Sequence, residues 1–513
     1  MKNSFKMNLV GLISPVCFCS AHAAGAQDNV VGKKPNVILL LTDDQSFHLG
    51  MMGVPGLKTP HIDALARRGV FFTKAYAASA SCAPCRASIL TGMYPHSNGA
   101  WRNTVGPENL NAPDVEFGRN TSKKDSVGVH EDIPTLIEIL NKNGYFTGIT
   151  EKWHLSPPWK FPFQFRDKAD LTPGGSAKAV ETLIKAAGGD PFFLQANVDN
   201  THRPYQWHIG INKDLPCVNP GDVQIPPCWP DTPKTRQDYA EYLTTVQHAD
   251  AVIGAIIETV RDAGLLDNTI FIYSSDQGFC YTRAKATAYD WGLHIPLAIA
   301  GPGIGKGIES AALVSHVDLM PTILDFAGIS VPKTVQGLSL RPVLEGKAPD
   351  VGRKYIVSEH NAHGGNPAEY YPTRSITDGR YRYIWNIRYQ TVPNFDIDSL
   401  ASDPKARRKD ARLPALAWMC RDATPSDVWQ NNAYEEIIFH KDKFPEQYAL
   451  LRATFFRPEF ELYDLEKDPY EMKNLISNPE VNNVVKQLDK ELKAWMQAGG
   501  DLGDPRSIPR RTR

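Results

Sequence analysis

An α/β sandwich with a mostly parallel central sheet, followed by a smaller C-terminal α+β subdomain, is the fold class this sequence predicts. Three observations predict it. Nearly all-apolar runs of strand length recur through the N-terminal part, amphipathic stretches of helical length lie between them, and near Leu344 to Arg353 the pattern gives way to shorter strand-like pieces.

The elements follow in chain order. Lys2 and Lys6 precede an apolar run, Met7 to Cys19, and a small-residue segment, Ser20 to Ala26, which is the layout of a cleaved signal peptide over residues 1–26. That run is too short to span a bilayer and nothing later reaches the length of a transmembrane helix, so a periplasmic or secreted protein is expected. Asn36 to Leu41 has the composition of a strand covered on both faces of a parallel sheet. Comparable runs are Tyr145 to Ile149, Phe192 to Val198, Thr269 to Tyr273 and Ile295 to Ile299, with helical stretches at Ile133 to Asn143, Ala177 to Ala187 and Arg236 to Ala263. After the helix Asp318 to Ala327 come strand-like pieces at Lys354 to Ser358, Thr373 to Thr377 and Tyr381 to Ile387, and a helix around Val485 to Met496. The main α/β domain is expected over residues 35–345 and the C-terminal subdomain over 354–500.

With 42% apolar and 22% charged residues and a net charge of −1, the chain carries no basic field suited to nucleic acid or an anionic membrane. Six cysteines follow the leader: Cys82, Cys85, Cys217, Cys228, Cys280 and Cys420. Export permits disulfides, and Cys217 with Cys228, which bracket a proline-rich segment, is the pairing expected. No two pairs stand at zinc-finger spacing.

Polar residues follow the strands at their carboxyl ends, where an open α/β sheet carries its site. The first strand runs into Thr42-Asp43-Asp44-Gln45, and the strand from Thr269 runs into Ser274-Ser275-Asp276-Gln277-Gly278. Adjacent carboxylates repel unless a cation lies between them, and hard oxygen donors suit calcium or magnesium. A solvated loop is the plain alternative. Ser81-Cys82-Ala83-Pro84-Cys85-Arg86 opens a helical stretch whose N-terminus favours an anion. There Cys82 is open to two simpler readings, a buried cysteine or half of a redox pair with Cys85. Lys152-Trp153-His154 and Asp199-Asn200-Thr201-His202-Arg203-Pro204 each follow a strand, with surface or loop roles as their simple readings. A histidine in such a place suits proton delivery near neutral pH.

The pattern Cys-x-Pro-x-Arg at Cys82 to Arg86, together with these flanking motifs, resembles the type I, formylglycine-dependent sulfatases over nearly the whole chain from Pro35 to about Leu475. The resemblance implies an alkaline-phosphatase-like fold and a sulfatase. It implies that a maturation enzyme oxidises Cys82 to formylglycine, whose hydrate attacks sulfur, and that Arg86 holds the hydrate beside Ca2+. Asp43, Asp44, Asp276 and Gln277, with the modified Cys82, would be metal ligands. Lys152 would bind a sulfate oxygen, His154 would take the hydrate's proton when sulfate is eliminated, and His202 would be the general acid. A second sulfate-clamping cation is implied at Lys285, with Arg283 as its competitor, and His96 reads as structural.

Two departures stand out: Glu151 replaces the glycine usual before the lysine, and glutamine fills the fourth ligand position. Within the family the chain is similar to the sulfamidase (heparan N-sulfatase) branch, through His61 to Arg68, Tyr371-Pro372-Thr373-Arg374-Ser375 and Glu461-Leu462-Tyr463-Asp464. That likeness implies a sulfated saccharide substrate, preferably N-sulfoglucosamine. It also implies a C-terminal loop, Ser358 to His363, that closes over the site and brings His360, His363 and Arg374 to the sugar. Lys285 stands where that branch carries arginine, which leaves an O-sulfatase open, and a Cys82 that is never oxidised would leave an inactive glycan-binding protein.

Overall fold

The computed structural model describes residues 34–103, 127–363, 370–390 and 432–505; the leader and Cys420 lie outside the described residues. β1 (Asn36–Thr42) is buried along its whole length. Its side chains alternate between two cores: Val37, Leu39 and Leu41 enter one, Ile38 and Leu40 the other. That two-sided burial is why the strand is apolar throughout rather than alternating. The further strands are β2 (Val70–Phe72), β3 (Ala75–Tyr76), β4 (Phe146–Thr150), β5 (Phe165–Asp167), β6 (Phe192–Val198), β7 (Thr269–Ser275), β8 (Leu297–Ala300), β9 (Ile308–Ser310) and β10 (Val314–Ser315). The C-terminal part adds β11 (Ile356–Ala362), β12 (Tyr370–Thr377), β13 (Tyr381–Asn386) and β14 (Phe460–Asp464).

The main sheet has eight strands in the order β5-β4-β6-β1-β7-β8-β2-β9. β8 pairs antiparallel with both its neighbours, and every other pairing is parallel. Helices Cys82–Thr91, Leu136–Lys142 and Leu319–Phe326 contribute to the core on one face. Helices Pro60–Arg67, Pro173–Ala187 and Pro233–Asp262 pack on the other. The α/β sandwich expected from the alternating pattern is therefore present, and β4, β6, β1 and β7 lie side by side and parallel. Their carboxyl ends, Thr150, Val198, Thr42 and Ser275, form one edge from which the polar motifs emerge.

The C-terminal sheet is antiparallel, in the order β11-β12-β13-β14. Helix Asn482–Gly499 lays Leu488, Leu492 and Met496, spaced four apart on one face, against Val357, Ile376, Tyr383 and Leu462. Each such side chain stabilises the layer by about 1.5–3 kcal/mol if fully buried. The helix ends where Gly500 takes φ 68°, a left-handed conformation suited to glycine.

Two expectations are corrected here. Ser358 to Ala362 is not a loop but part of β11, and it is buried throughout. Its polar residues look loop-like in the sequence, yet each finds a partner. Ser358 Oγ donates to Ala77 O at 2.7 Å, the Glu359 backbone N–H donates to Ala78 O at 3.0 Å, and Glu359 accepts from His96. Cys217 and Cys228 are not joined either; both are free thiols, one exposed and the other buried in an aromatic cluster beside Trp229.

Candidate active site

Cys82 is the first residue of helix Cys82–Thr91. Ser81, in the capping position, is extended and spends its hydroxyl elsewhere, at 3.3 Å from both His360 Nδ1 and His363 Nδ1. The N–H of Ala83, which has no partner within the helix, donates instead to Asn103 Oδ1 at 2.9 Å. At the other end, Gly92 at φ 63° closes the helix with its N–H on Ser88 O. Cys82 Sγ lies 3.8 Å from Asp43 Oδ1 and 3.2 Å from Gln277 Nε2. Burial pushes its thiol well above the ordinary value, so the unmodified side chain stays protonated and is a poor nucleophile.

One turn along, Arg86 ties three strand ends together. Its Nη2 lies 2.9 Å from Asp43 Oδ2 and 2.9 Å from Asp276 Oδ2, and its Nη1 donates to Asn197 Oδ1 at 2.6 Å. Lys152 Nζ meets Asp43 Oδ2 and stands 3.5 Å from Asp199 Oδ1. Lys285 Nζ donates to Asp44 Oδ2 at 2.6 Å and lies 3.5 Å from His202 Nε2. Four carboxylates, Asp43, Asp44, Asp199 and Asp276, therefore sit among three cations. Burial alone would raise Asp43, but Lys152 and Arg86 hold it well below the usual carboxylate range. The sequence argument that Asp43 and Asp44 would repel without a metal is modified by this pairing, because the chain supplies its own counterions.

The donor set also fits a hard cation. Single ligand atoms of Asp43, Cys82 and Asp276 lie within 4.8 Å of one another, as do those of Asp43, Asp44 and His202, and every one of these residues but His202 is fully buried. Gln277 Nε2 donates to Asp44 Oδ1 while its Oε1 is buried without a partner. Turning that amide over would place Oε1 among the carboxylates, an arrangement that only a cation would favour.

The histidines are held neutral. His202 donates from Nδ1 to Arg203 O at 2.6 Å, which leaves Nε2 facing Asp44 Oδ2 at 3.7 Å. Burial, then the charges of Lys152 and Lys285, lower its pKa. Burial, then Lys152 and Arg86, lower that of His154 further, and its buried Nδ1 has no partner. Asp44 and His154 adopt φ 54° and 42°, and Glu151 adopts φ 59°. Backbone strain of this kind collects where side chains must be aimed. At Glu151 it shows what a glycine would do in that turn: glycine reaches a left-handed φ without steric cost.

Several residues fall outside what the motifs indicated. Asn197 on β6 accepts from Arg86 and donates to Thr150 O and Lys152 O, both at 2.8 Å, so one amide positions two cations. Gln195 and Asn197, polar at i and i+2 in an otherwise apolar strand, carried that signal in the sequence. Asp199, beside Lys152, carries a pKa raised to about 6, first by burial and also by Asp43.

Arg283 is not at the site: it is buried, with its guanidinium 3.9 Å from the Tyr289 ring and bonded to Glu471 O. Arg374 is also placed differently from the expectation that it meets the sugar. Its side chain is 0% exposed, donating to Asp501 Oδ1 at 2.8 Å and Asn361 Oδ1 at 2.9 Å, with Glu359 at 3.4 Å. His96 is structural, its Nδ1 2.8 Å from Glu359 Oε2.

The sulfatase family model matches residues 35–329, and the chain belongs to that family, whose members hydrolyse sulfate esters or sulfamates. A second model, N-sulphoglucosamine sulphohydrolase, C-terminal, matches residues 281–412 and 417–498. The human N-sulphoglucosamine sulphohydrolase is 28% identical over 90% of this chain and 89% of its own length. An ulvan-active sulfatase from Formosa agariphila is 27% identical over 93% of this chain and 82% of its own. Among solved structures, a 2-O GAG sulfatase superposes with a TM-score of 0.62 at 20% identity, covering 94% of this chain and 95% of that one, which bears on the fold.

Proposed function

We propose that this protein is an exported sulfatase that removes sulfate from a glycan, preferably from N-sulfoglucosamine, using formylglycine made from Cys82 and a calcium ion. The supporting observation is the convergence on one strand edge of Cys82, Arg86, Lys152 and Asp43, with a thiol too basic to act unmodified. Calcium would be held by Asp43, Asp44, Asp276 and Gln277, and together with formylglycine it would supply the oxygen nucleophile and neutralise its charge. The catalytic α/β domain is assigned to residues 35–345 and the C-terminal subdomain to 354–500. A maturation enzyme is required as a partner, and no helix among the described residues is long and apolar enough to cross a membrane.

The chain's own residues divide the work. Lys152 and Lys285, both within contact distance of a carboxylate, stand ready to exchange that partner for sulfate oxygens. A sulfate arriving beside His202 offsets the two lysine charges that depress its pKa, so Nε2 takes up a proton there and delivers it to the leaving atom. An amine leaves poorly unless it is protonated, so this step weighs most for an N-sulfate. His154, neutral and with an unpartnered Nδ1, is suited to accept a proton at the nucleophile. His360 and His363 reach Ser81 beside Cys82 and are kept as sugar-facing candidates, whereas Arg374 is not.

A second reading, an O-sulfatase for another sulfated polysaccharide, is favoured by Lys285 in place of a forked guanidinium and by the likeness to the ulvan-active enzyme. Two measurements decide between these readings and a glycan-binding protein without activity. Mass spectrometry of the Cys82 peptide should show the aldehyde; its absence from active protein would defeat the mechanism. Sulfate release from a panel of N- and O-sulfated saccharides should favour the N-sulfated sugars, and release from O-sulfated members alone would replace the first reading with the second.

A further inference from the structure

The motif that supplies His202 also holds Arg203, whose backbone and side chain grip two different parts of the site. Its carbonyl oxygen lies 2.6 Å from His202 Nδ1. A carbonyl only accepts, so Nδ1 carries the proton and Nε2 is the nitrogen turned toward the site, 3.5 Å from Lys285 Nζ. The guanidinium of Arg203 is held deep in the fold. Nη1 and Nη2 donate to Asp238 Oδ1 and Oδ2 at 2.8 and 2.7 Å, and Nε donates to Cys280 O at 3.3 Å. The planar group lies 4.2 Å from the centre of the Tyr205 ring and 5.0 Å from that of Tyr281. Asp238 and both tyrosines are fully buried.

A buried ion pair that served the core alone would not need this connectivity. Asp238 belongs to helix Pro233–Asp262, His202 to the loop after β6, and Cys280 to the loop after β7 that also carries Asp276, Gln277 and Lys285. The Lys285 N–H donates to Phe279 O at 3.1 Å, so the segment gripped through Cys280 O is the one that places the lysine facing His202 Nε2. The His202 ring is thus fixed on one side by the backbone of Arg203 and faced on the other by a loop that the Arg203 side chain holds. A lysine at this position could pair with Asp238 but could not make the two-pronged contact and reach Cys280 O together.

We propose that Arg203 is a positioning residue for His202: its clamp on Asp238 and Cys280 O sets where Nε2 stands relative to the leaving atom. The inference rests on the reading of His202 as general acid and adds the device that aims it. The test is the dependence of kcat/KM on the leaving group, measured with matured enzyme on substituted phenyl sulfates. A basic phenolate needs a proton to leave and a nitrophenolate does not, so the slope against phenol basicity reports proton delivery. R203M/D238L removes both charges together and leaves no unpaired buried ion; circular dichroism checks its fold. It should lose at least ~10-fold more activity on phenyl sulfate than on 4-nitrophenyl sulfate, because a small displacement of the acid weakens the transfer. R203K keeps the ion pair and should change the slope in the same direction by less; it carries the test if the double variant does not fold. In an H202A background, R203M/D238L should alter the slope no further. A parent-like slope in either Arg203 variant, or a further change once His202 is gone, would overturn the positioning role. Failure of the underlying reading looks different: H202A alone would then keep the parent slope, and the proposal would fall with it.

Discussion

Replacing Glu151 with glycine should stabilise the protein, and by an amount that grows with pH. Glu151 holds φ 59°, where a non-glycine residue costs about 1–2 kcal/mol. Its carboxyl is buried at the end of β4, one oxygen has no partner, and burial reinforced by Asp199 raises its pKa from 4.5 to about 8. The sign follows from proton counting. Below pH 4.5 the carboxyl is protonated in both folded and unfolded chains, and the shift has no cost. Between pH 4.5 and 8 the unfolded chain loses the proton while the folded chain keeps it, so wild-type stability falls as pH rises and levels off above 8. At pH 7 the penalty is about 3 kcal/mol, at ~1.4 kcal/mol per pH step. Adding the strain and subtracting up to ~1 kcal/mol for the freedom of an unfolded glycine gives a gain of about 3–4 kcal/mol at pH 7 and ~1 kcal/mol or less at pH 4. For a chain of this size that is roughly 3–4 °C in Tm at pH 7 and about 1 °C at pH 4. Scanning calorimetry of both proteins from pH 4 to 8.5 measures it. A Tm difference that is flat with pH, or a loss at pH 7, would refute the account.

Other outcomes follow from the same geometry. Lys152→Ala should lower kcat about 10²- to 10³-fold, the scale of one preorganised charge stabiliser; a loss under about threefold in steady-state kinetics would remove it as a sulfate clamp. His202→Ala should impair hydrolysis of an N-sulfated sugar far more than that of an aryl sulfate, whose phenolate leaves unaided, and equal losses would end its role as general acid. Chelating divalent metal should abolish turnover, with calcium restoring it, yet lower Tm by only about 4 °C even if the ion was bound at a thousand times its Kd. Arg86, Lys152 and Lys285 continue to neutralise the carboxylates without the ion, so unfolding on chelation would contradict the pairing found here.

Much of the main domain could be read from the chain because its strands are covered on both faces and so are continuously apolar, as at Phe192 to Val198 and Thr269 to Ser275. Asp43, Asp44, Lys152, His202, Asp276 and Lys285 were visible because each lies just beyond such a strand or in the loop after it. The start of β11 lay within the strand expected at Lys354 to Ser358, but its second half was not readable. Ser358-Glu359-His360-Asn361 has a loop's composition, and only residues hundreds of positions away, such as Ala77, His96 and Ser81, satisfy it as a buried strand. Arg374 misled for the same reason: Asp501, its carboxylate partner, is remote in sequence, so a buried ion pair looked like a free cation. The Cys217–Cys228 pairing failed because sequence spacing says nothing about depth, and one thiol is exposed while the other is buried.

The ion cluster of His96, Glu359, Arg374 and Asp501 joins the tail to a strand that bonds directly to the segment leading into Cys82. For a chain made from its N-terminus, this sets a schedule. Cys82 emerges early, but the residues that enclose it come later: Lys152, Asp276, then His360, and Asp501 near the end. Chemistry performed on Cys82 by a second protein is therefore easiest between its own synthesis and that of Asp501, because in the folded structure the side chain is only 2% exposed.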